Sequence, residues 1–499
     1  MKKKILLISS SFEEVSLISS GIDPKLEIKY SEDANYPLGL SYLESYLVSR
    51  GHQALTLMSN TCSFEECFKK TVKLIEDFAP DLIGLQMLTQ NRVSTYRLIE
   101  HIHQQHPGIK IIIGGIHATI MHRQIIEKYP FLIVVLGEGE LTLAELAEKL
   151  PLDNKELEGV PGIAFSRAGA VLETAPRGLI NDLDALPFPN HEIFFSEQRT
   201  CASIITSRGC PFACSFCCLN SISQRKVRSR SIPNVIAEIE WLLRKNPQIT
   251  TIWIQDDGFL INNQRAVEFC NEVIRRKLKV NFVCSGRVKP ISSEVVKKLE
   301  EANFQKVLFG MESGDNSILK RCHKEITQED VLRAFQLFKR SKIELQAFVI
   351  LGLPGEDEQT VAETIRFVKK LQKIKYMYYP NVSILTIYPG TEVYQIAKNA
   401  GIIDDQYWLT DQTTPIFTLE NSREHLFAFK EKVLNNISSD RVFTPAGLRA
   451  QFFMIPAIIS YIFQYRNFNI IKGAVSKFFR AFLSPRAYDS LKMAYTRLK

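Results

Sequence analysis

The sequence of 499 residues lacks the features that mark a membrane, secreted or nucleic-acid-binding protein. No segment reaches the ~18 consecutive apolar residues that span a bilayer. The basic start followed by Ile5–Ile8 has the polarity of a secretion signal, but its apolar run is short and no small-residue cleavage site follows, so we interpret it as a buried strand. Ten cysteines are too few for a disulfide framework in so long a chain, and a net charge of +8 is too small to indicate nucleic acid. These absences predict a cytoplasmic protein, and its length predicts two or three globular domains.

The cysteines that are present include three in one short loop, Cys210, Cys214 and Cys217, with the spacing C-x3-C-x2-C. Thiolates are the usual ligands of iron–sulfur clusters, and three of them can hold three irons of a four-iron cluster while the fourth iron stays open. Zinc is the competing metal, but a closed zinc site needs four ligands, usually as two pairs, and no second C-x2-C pair occurs. Cys218 directly follows Cys217 and is a poor candidate for the same ion. Buried or coincidental cysteines are the remaining alternative.

Before this loop, the first 150 residues alternate apolar strand-like runs with amphipathic helical segments. Such alternation predicts a parallel sheet covered on both faces, and ligands of these sheets bind at the carboxyl ends of the strands. Glycines there let a large ligand approach the backbone closely, although turn formation explains a glycine pair equally well and a single histidine is more often structural. The small or polar candidates at or near these ends are Ser9, Gly39, Thr89, Gly114, Gly115, His117, Gly137, Glu138, Gly139 and Glu140.

A proline-rich segment, 151–200, then connects two regular regions, with a predicted β-hairpin (Gly162–Ser166 and Val171–Thr174) followed by a linker. From Ser203 onward six strand–helix units follow, and the first strand, 203–207, leads directly into the cysteine loop. The rule for barrels predicts a ligand over the loops that follow the strands. Residues at these strand ends include Gln255, Asp256, Asp257, Ser285, Arg287, Glu312, Ser313 and Leu351.

Two of these groups permit more than one interpretation. Asp256 and Asp257 are adjacent carboxylates that repel each other, so they must face different partners or solvent, and a metal pair is the alternative. Arg287 offers a planar fork that suits a carboxylate, or else forms a salt bridge at the rim of the barrel.

The loop C-x3-C-x-aromatic-C, with Phe216 before the last cysteine, resembles the signature of radical S-adenosylmethionine (SAM) enzymes. The turns 310–314, 351–356 and 388–391 resemble further motifs of that family, in the same order along the chain. The resemblance implies a [4Fe-4S] cluster on the three cysteines, SAM chelated to the open iron, and a partial (β/α)6 barrel. It also implies SAM contacts at Phe216, Gln255, Asp256, Asp257, Ser285, Arg287, Glu312, Ser313 and Leu351.

Residues 1–150 resemble the cobalamin-binding domain that precedes many radical SAM domains, and the strand-end residues of that region are then the candidate cobalamin contacts. The expected fold class is α/β: a doubly wound Rossmann-like cobalamin-binding domain, a partial (β/α)6 radical SAM barrel and a helical carboxyl-terminal region. The motif D-x-H-x-x-G, whose histidine binds cobalt, is absent. We therefore expect cobalamin to bind without a histidine on cobalt; a fold retained without the cofactor is the alternative.

These patterns divide the chain into 1–150, 151–200, 201–440 and 441–499. The last segment is basic, rich in aromatic residues and amphipathic. That composition favours contact of 446–499 with a membrane surface or an apolar substrate, which would make the cytoplasmic protein peripheral to the membrane. A helical cap packed on the barrel is the alternative.

The resemblance implies a cobalamin-dependent enzyme that methylates an unactivated carbon of a small-molecule or lipid-like substrate, through a 5′-deoxyadenosyl radical and methylcobalamin. The alternative is a cyclase, oxidoreductase or rearrangement enzyme that uses the same cofactors without methyl transfer. A methylthiotransferase is disfavoured because only Cys62 and Cys67 occur in the first domain. A non-enzymatic cluster protein is disfavoured because it would not need the turns that resemble SAM-binding motifs. The implied partners are a reductase, flavodoxin or ferredoxin as electron donor, and no nucleic acid.

Overall fold

The computed structural model describes residues 2–12, 38–195, 199–375, 377 and 380–438. Residues up to Ile437 form one compact unit. The predicted basic segment 441–499 lies outside the described residues. The predicted α/β class is confirmed, because two largely parallel sheets carry helices between their strands.

The amino-terminal half is built on a sheet of seven strands: β1 (Lys4–Ser9), β2 (Gln53–Met58), β3 (Leu82–Gln86), β4 (Lys110–Gly114), β5 (Ile133–Val135), β6 (Ile163–Arg167) and β7 (Ala170–Glu173). Their order is β2-β1-β3-β4-β5-β6-β7. The first five are parallel and almost wholly apolar inside, whereas β6 and β7 are antiparallel additions at one edge. The order changes direction between β1 and β3, which is where open α/β sheets bind ligands.

Six helices connect these strands: α1 (Leu38–Ser49), α2 (Phe64–Phe78), α3 (Arg92–Gln105), α4 (Ile116–Lys128), α5 (Glu140–Glu148) and α6 (Asn154–Glu158). Local capping explains several of their ends. The Ser63 hydroxyl accepts the Glu66 N–H at the start of α2, and Ala79 adopts a left-handed conformation after its last turn.

The second sheet contains six parallel strands: β8 (Cys201–Ile204), β11 (Thr251–Ile254), β12 (Asn281–Gly286), β13 (Phe304–Glu312), β14 (Glu344–Leu351) and β15 (Asn381–Ile384). They pair in sequence order from β8 to β15, as in the predicted partial barrel. A separate antiparallel pair, β9 (Ser207–Arg208) and β10 (Arg228–Ser229), flanks the cysteine loop.

The second half also contains nine helices within the described residues: α7 (Asn220–Ser223), α8 (Ile232–Lys245), α9 (Asn263–Arg276), α10 (Ser293–Glu301), α11 (Asn316–Arg321), α12 (Gln328–Phe338), α13 (Glu358–Ile374), α14 (Glu392–Asn399) and α15 (Arg423–Ser438). None of the helices in the described ranges is long and apolar enough to cross a bilayer.

Three local features differ from the sequence-based expectation. The hairpin expected in the linker pairs with β5 and so extends the first sheet. The sequence predicts a short helix near Arg123–Lys128, whereas α4 begins at Ile116, because Gly115 has a φ of 109° and turns the chain directly from β4 into the helix. The backbone is non-helical at Met121, so the predicted segment is the second part of α4. The sequence predicts a helical region over 400–440, but 410–422 is not helical: Ile416 forms a β-bridge with Thr386, and the Phe417 N–H donates to the Leu385 carbonyl.

The two halves share an apolar core. Ile8 and Ile83 of the first sheet belong to the same buried cluster as Leu353, Ile387 and Trp408 of the second half. The barrel has a further core of its own between its sheet and helices. Because burial of these side chains stabilises both halves together, the carboxyl ends of the first sheet are fixed opposite the cysteine loop.

Candidate active site

The cysteine loop starts at a turn that requires glycine. Gly209 follows β9 with a φ of 94°, and a Cβ at this position would collide with the Lys226 carbonyl oxygen. The Gly209 N–H donates to Oδ2 of Asp257 at 2.8 Å. The turn is therefore fixed immediately before Cys210, the first thiol of the loop.

The three loop thiols are available as metal ligands. Cys210, Cys214 and Cys217 are half-buried and free of disulfides. Burial raises the pKa of Cys210, and raises that of Cys217 to about 11, so a bound cation is needed to keep these thiols ionised. Across the described ranges, no group of three or more His, Cys, Asp or Glu side chains is placed to hold a single metal ion.

Asp256 holds the chain just before the loop. Its carboxylate is buried and accepts hydrogen bonds from the backbone N–H and the hydroxyl of both Thr206 and Ser207, at 2.5–3.1 Å. Burial still raises its pKa above the ordinary value, although these four bonds favour the charged form. The two adjacent carboxylates thus have different partners, with Asp256 on residues 206–207 and Asp257 on residue 209.

On the other side of the loop, cationic and anionic side chains lie together. The Arg287 guanidinium stacks on the Phe212 ring at 3.6 Å, and its Nη1 lies 3.8 Å from the Cys214 sulfur. The Lys324 ammonium pairs with Glu312 at 2.6 Å. Arg287 also donates to the Lys324 carbonyl. These buried groups can bind the charged amino-acid portion of a cofactor, since they offer both a carboxylate and two cations.

The other predicted SAM contacts are more scattered. Phe216 lies 5.8 Å from the Lys324 ammonium, beside the Glu312 pair. Gln255 is exposed and donates to Ser203, and Ser285 is half-buried in β12. The Ser313 hydroxyl accepts the Asp315 N–H, whereas Leu351 is fully buried in the barrel core. The structure thus brings Phe216, Arg287 and Glu312 around the loop and leaves Leu351 in the apolar interior.

A cavity of ≈ 320 Å³ opens at the carboxyl ends of the first sheet, beside this loop. Its deep wall consists of apolar and glycine residues from β1, β3 and β4, including Leu7, Gly84 and Ile112. Its outer wall includes Gly209 and Asp257, which precede and support the cysteine loop. One cavity therefore borders both the strand ends of the first sheet and the start of the loop.

Most of the residues predicted to contact cobalamin line this cavity: Gly39, Gly114, Gly115, Gly137, Glu138, Gly139 and Glu140. Gly137 has a φ of 79° and open space where a Cβ would be, whereas a Cβ at Gly115 would lie 2.7 Å from the Met87 carbonyl oxygen. Gly137 therefore allows close approach of a large ligand to the backbone, whereas glycine at 115 is required by the fold itself. The apolar and glycine residues of this lining suit contact with the apolar portion of a large cofactor.

Ser9, Thr89 and His117 are not among the lining residues. The Ser9 hydroxyl donates to Gln86, and the Thr89 hydroxyl lies 3.0 Å from Nδ1 of His117. His117 is fully buried beside Trp408, and burial lowers its pKa to about 3. The His117 ring is therefore neutral, and His117 is not among the residues that line the cavity. The expectation that no histidine binds cobalt stays a prediction.

The structure adds residues that the sequence analysis missed. Arg208 lies 3.0 Å from Glu138 and 2.7 Å from Glu140, and Arg228 lies 2.7 Å from Glu138. Burial disfavours the charged form of Glu138, but hydrogen bonds from Arg228, the Ile180 N–H and Arg208 outweigh it and lower the pKa. The basic run 225–230 contains Arg228 but not Arg208, and no local pattern pairs either arginine with acids about 70 to 90 positions earlier.

Family comparisons agree with this arrangement. A model of the B12 binding domain matches residues 29–147, and a model of the radical SAM superfamily matches residues 204–368. The chain is a radical SAM enzyme with an amino-terminal B12-binding domain. The cofactors predicted from the sequence, a [4Fe-4S] cluster, SAM and cobalamin, are those of this architecture, and the cluster needs an electron source.

Relatives of this radical SAM enzyme extend over most of its length. An uncharacterised methyltransferase of Pyrococcus horikoshii is 29% identical over 378 residues, which is 74% of this chain and 80% of that protein. An anaerobic magnesium-protoporphyrin IX monomethyl ester cyclase of Cereibacter sphaeroides is 27% identical over 482 residues, which is 92% of this chain and 74% of the cyclase. These two names describe different reactions.

A solved structure shows the same fold. The cobalamin-dependent SAM radical enzyme OxsB, with aqua-cobalamin and SAM bound, superposes with a TM-score of 0.66 at 20% identity. The match covers 81% of this chain and 62% of OxsB, so this chain spans less than two thirds of that longer protein. At this identity the likeness concerns the fold alone.

Proposed function

We propose that this enzyme transfers a methyl group to an unactivated carbon of a small-molecule or lipid-like substrate. The observation that carries the proposal is the cavity beside the cysteine loop, since its walls include both the first sheet and Gly209. When bound, the cofactors supply an adenosyl radical at the cluster and a methyl donor at the corrinoid. A substrate held between the two sites would be close to both, which lowers the entropic cost of the reaction.

Under this proposal, the chain's own residues bind and orient the cofactors. Cys210, Cys214 and Cys217 hold three irons. Arg287 would bind the carboxylate of SAM, because its Nη1 lies 3.8 Å from the Cys214 sulfur, and Glu312, which pairs with Lys324, would bind the amino group. The glycines of the strand ends, 114, 115, 137 and 139, let cobalamin rest against the backbone.

The alternative is a cyclisation, oxidation or rearrangement with the same cofactors. The cyclase relative supports it, because the match to this enzyme covers nearly the whole chain. The methyltransferase relative has slightly higher identity over a shorter range. Both reactions would use the same site, so they must be separated by their products.

The test measures two products from reduced protein supplied with SAM and cobalamin under anaerobic conditions. Methyl transfer releases S-adenosylhomocysteine as well as 5′-deoxyadenosine, whereas the alternative releases only 5′-deoxyadenosine. With trideuteromethyl SAM and a metabolite extract, methylation also gives a product that carries the intact trideuteromethyl group. Formation of 5′-deoxyadenosine without S-adenosylhomocysteine or labelled product would contradict the proposal and favour the alternative.

We also propose that a flavodoxin or ferredoxin delivers electrons at the exposed residues Arg225, Lys226 and Val227. The Arg225 guanidinium donates to the Pro211 carbonyl at 3.1 Å, next to Cys210, and Val227 is a large apolar side chain with 40% exposure. Basic residues beside an apolar contact suit a small acidic electron-transfer protein.

Charge reversal tests this docking surface. We expect R225E/K226E to lower turnover about tenfold with flavodoxin while turnover with dithionite is unchanged, because dithionite needs no docking. K297E, at a lysine whose side chain is 74% exposed on α10, is the matched control. Equal turnover of R225E/K226E and K297E with flavodoxin would refute the surface.

A reducing compartment is the proposed location, because all ten cysteines are free thiols and three of them form the cluster loop. Contact of 446–499 with a membrane surface stays a prediction. Sedimentation with anionic vesicles tests it, since a basic amphipathic segment binds anionic lipid and is released by salt. Absence of co-sedimentation at low salt would exclude it.

A further inference from the structure

Four charged side chains at the mouth of the cavity form one cluster across the two halves. Arg208 contacts both Glu138 and Glu140, and Arg228 contacts Glu138, all at 2.7–3.0 Å. The arginines belong to the β9–β10 pair beside the cysteine loop, whereas the glutamates follow β5 of the first sheet. All four residues line the cavity. We refer to them as the mouth cluster.

The mouth cluster differs from ordinary surface ion pairs. Its side chains are 5–17% exposed, so they are poorly screened by solvent and salt. The Arg208 guanidinium also lies 5.0 Å from the centre of the Tyr42 ring in α1. Glu140 is the first residue of α5, where the helix dipole favours a carboxylate. These contacts fix the position of Arg208 relative to the first sheet.

Arg208 is also tied to the cluster loop through its neighbours. It lies two positions before Cys210. Asp256 holds residues 206–207 and Asp257 holds residue 209, so the backbone around Arg208 is fixed on both sides. A displacement of the guanidinium by a molecule in the cavity would therefore be transmitted to the first cluster ligand rather than absorbed by a loose loop.

We propose that the mouth cluster positions the cysteine loop relative to the cavity, and that occupation of the cavity by cobalamin alters the environment of the iron–sulfur cluster through Arg208. Arg208 and Arg228 act as positioning residues. The proposal rests on the cofactors of the proposed function but not on methyl transfer. It predicts a coupling that is visible by spectroscopy without any substrate.

The test compares the electron paramagnetic resonance spectrum and midpoint potential of the reduced cluster with and without hydroxocobalamin. In the wild type we expect cobalamin to change both. In R208Q we expect normal iron content, cobalamin affinity weakened about tenfold or more, and no change of the spectrum at saturating cobalamin. R208K should restore part of the response, because lysine can pair with one carboxylate at a time.

Two further variants keep the test decisive. R97Q is the matched control, since Arg97 forms an exposed ion pair with Asp411 at 3.2 Å and does not line the cavity; it should behave as the wild type. E140Q removes a partner of Arg208 that lies outside the β9–β10 pair. It should therefore show the weaker cobalamin binding and the absent spectral response expected of R208Q. This comparison remains valid if R208Q itself loses iron.

Three results would overturn the proposal: a wild-type cluster that is indifferent to bound cobalamin, an E140Q variant that responds like the wild type, or loss of the response in R97Q as well. Failure of the wild type to bind cobalamin would instead overturn the cofactor assignment, and the proposal with it. A coupling that persists in a protein without methyl transfer activity would support the proposal while contradicting the proposed function.

Discussion

At the scale of single residues, Asp256 and Asp257 show what a motif can and cannot predict. Their mutual repulsion predicts that they face different partners, and in the structure they do: Asp256 holds residues 206–207 and Asp257 holds Gly209. The sequence does not show that these partners are the backbone before the cysteine loop. Hydrogen-bond partners some 50 positions apart follow from the register of β8 and β11, which only the fold defines.

The cysteine loop gives a prediction with an internal control. Replacing Cys210, Cys214 or Cys217 by alanine removes one of three iron ligands, so we expect reconstituted iron to fall at least tenfold. Cys218 is adjacent in sequence but is not part of the triad, so C218A should retain wild-type iron. Iron analysis and visible absorption spectra check both. Full iron in C217A, or its loss in C218A, would contradict the ligand assignment.

Glu356 gives a prediction about pH. It is 2% exposed, and burial raises its pKa to about 8; one carboxylate oxygen accepts the Gly352 N–H, and the other has no hydrogen-bond partner among the described residues. The unfolded chain releases this proton near pH 4.5, whereas the folded chain keeps it up to about pH 8. Its contribution to stability is therefore full below the ordinary carboxyl pKa and is lost as the pH rises to about 8.

Urea unfolding at pH 5 and at pH 8 tests the predicted loss of stability with rising pH. Since one pKa unit corresponds to about 1.4 kcal/mol, we expect the free energy of unfolding of the wild type to fall by roughly 2–4 kcal/mol more than that of E356Q between pH 5 and pH 8. E358Q, at an exposed glutamate two positions later, should keep the wild-type slope. Identical slopes for E356Q and the wild type would show that Glu356 is ionised in the folded chain.

At the scale of elements, the sequence predicts the strands well because parallel strands are continuous apolar runs. Ile5–Ile8 and Ile111–Ile113 are wholly buried, as their composition requires. The edges are less predictable. Strands β6 and β7 look like a free hairpin in sequence, and their pairing with β5 depends on a sheet edge that no local pattern reveals. The start of α4 depends in the same way on the backbone of one glycine, Gly115.

The strand-end glycines give a prediction at this scale. In G137A the added methyl group would enter the cavity, so we expect weaker cobalamin binding. We also expect the free energy of unfolding to fall by roughly 1–2 kcal/mol, because a non-glycine residue is strained at positive φ. Gly51 has a similar φ of 88° and equally open surroundings, but it is not a lining residue. G51A should therefore lose similar stability with unchanged cobalamin affinity. Equal affinity of G137A and G51A would exclude residue 137 from the binding surface.

At the scale of the whole molecule, the two domain types and their order are predictable from the motifs, but their relative position is not. Trp408 packs against the first half, and Arg208 pairs with Glu138 and Glu140. These contacts join residues that are about 70 to several hundred positions apart. Local patterns carry no information about such pairs, and the glutamates were interpreted from sequence only as ligand contacts. The structure shows that their carboxylates pair with arginines at the same cavity.

The central claim is that the three thiols hold a cluster with an open iron at which SAM is bound and cleaved. The most direct measurement is the yield of 5′-deoxyadenosine from anaerobically reconstituted, reduced protein mixed with SAM. We expect this product from the wild type and none from C210A, C214A or C217A, because SAM cleavage needs the reduced cluster. A wild-type protein that holds about four irons per chain and accepts an electron, yet leaves SAM intact, would contradict the account.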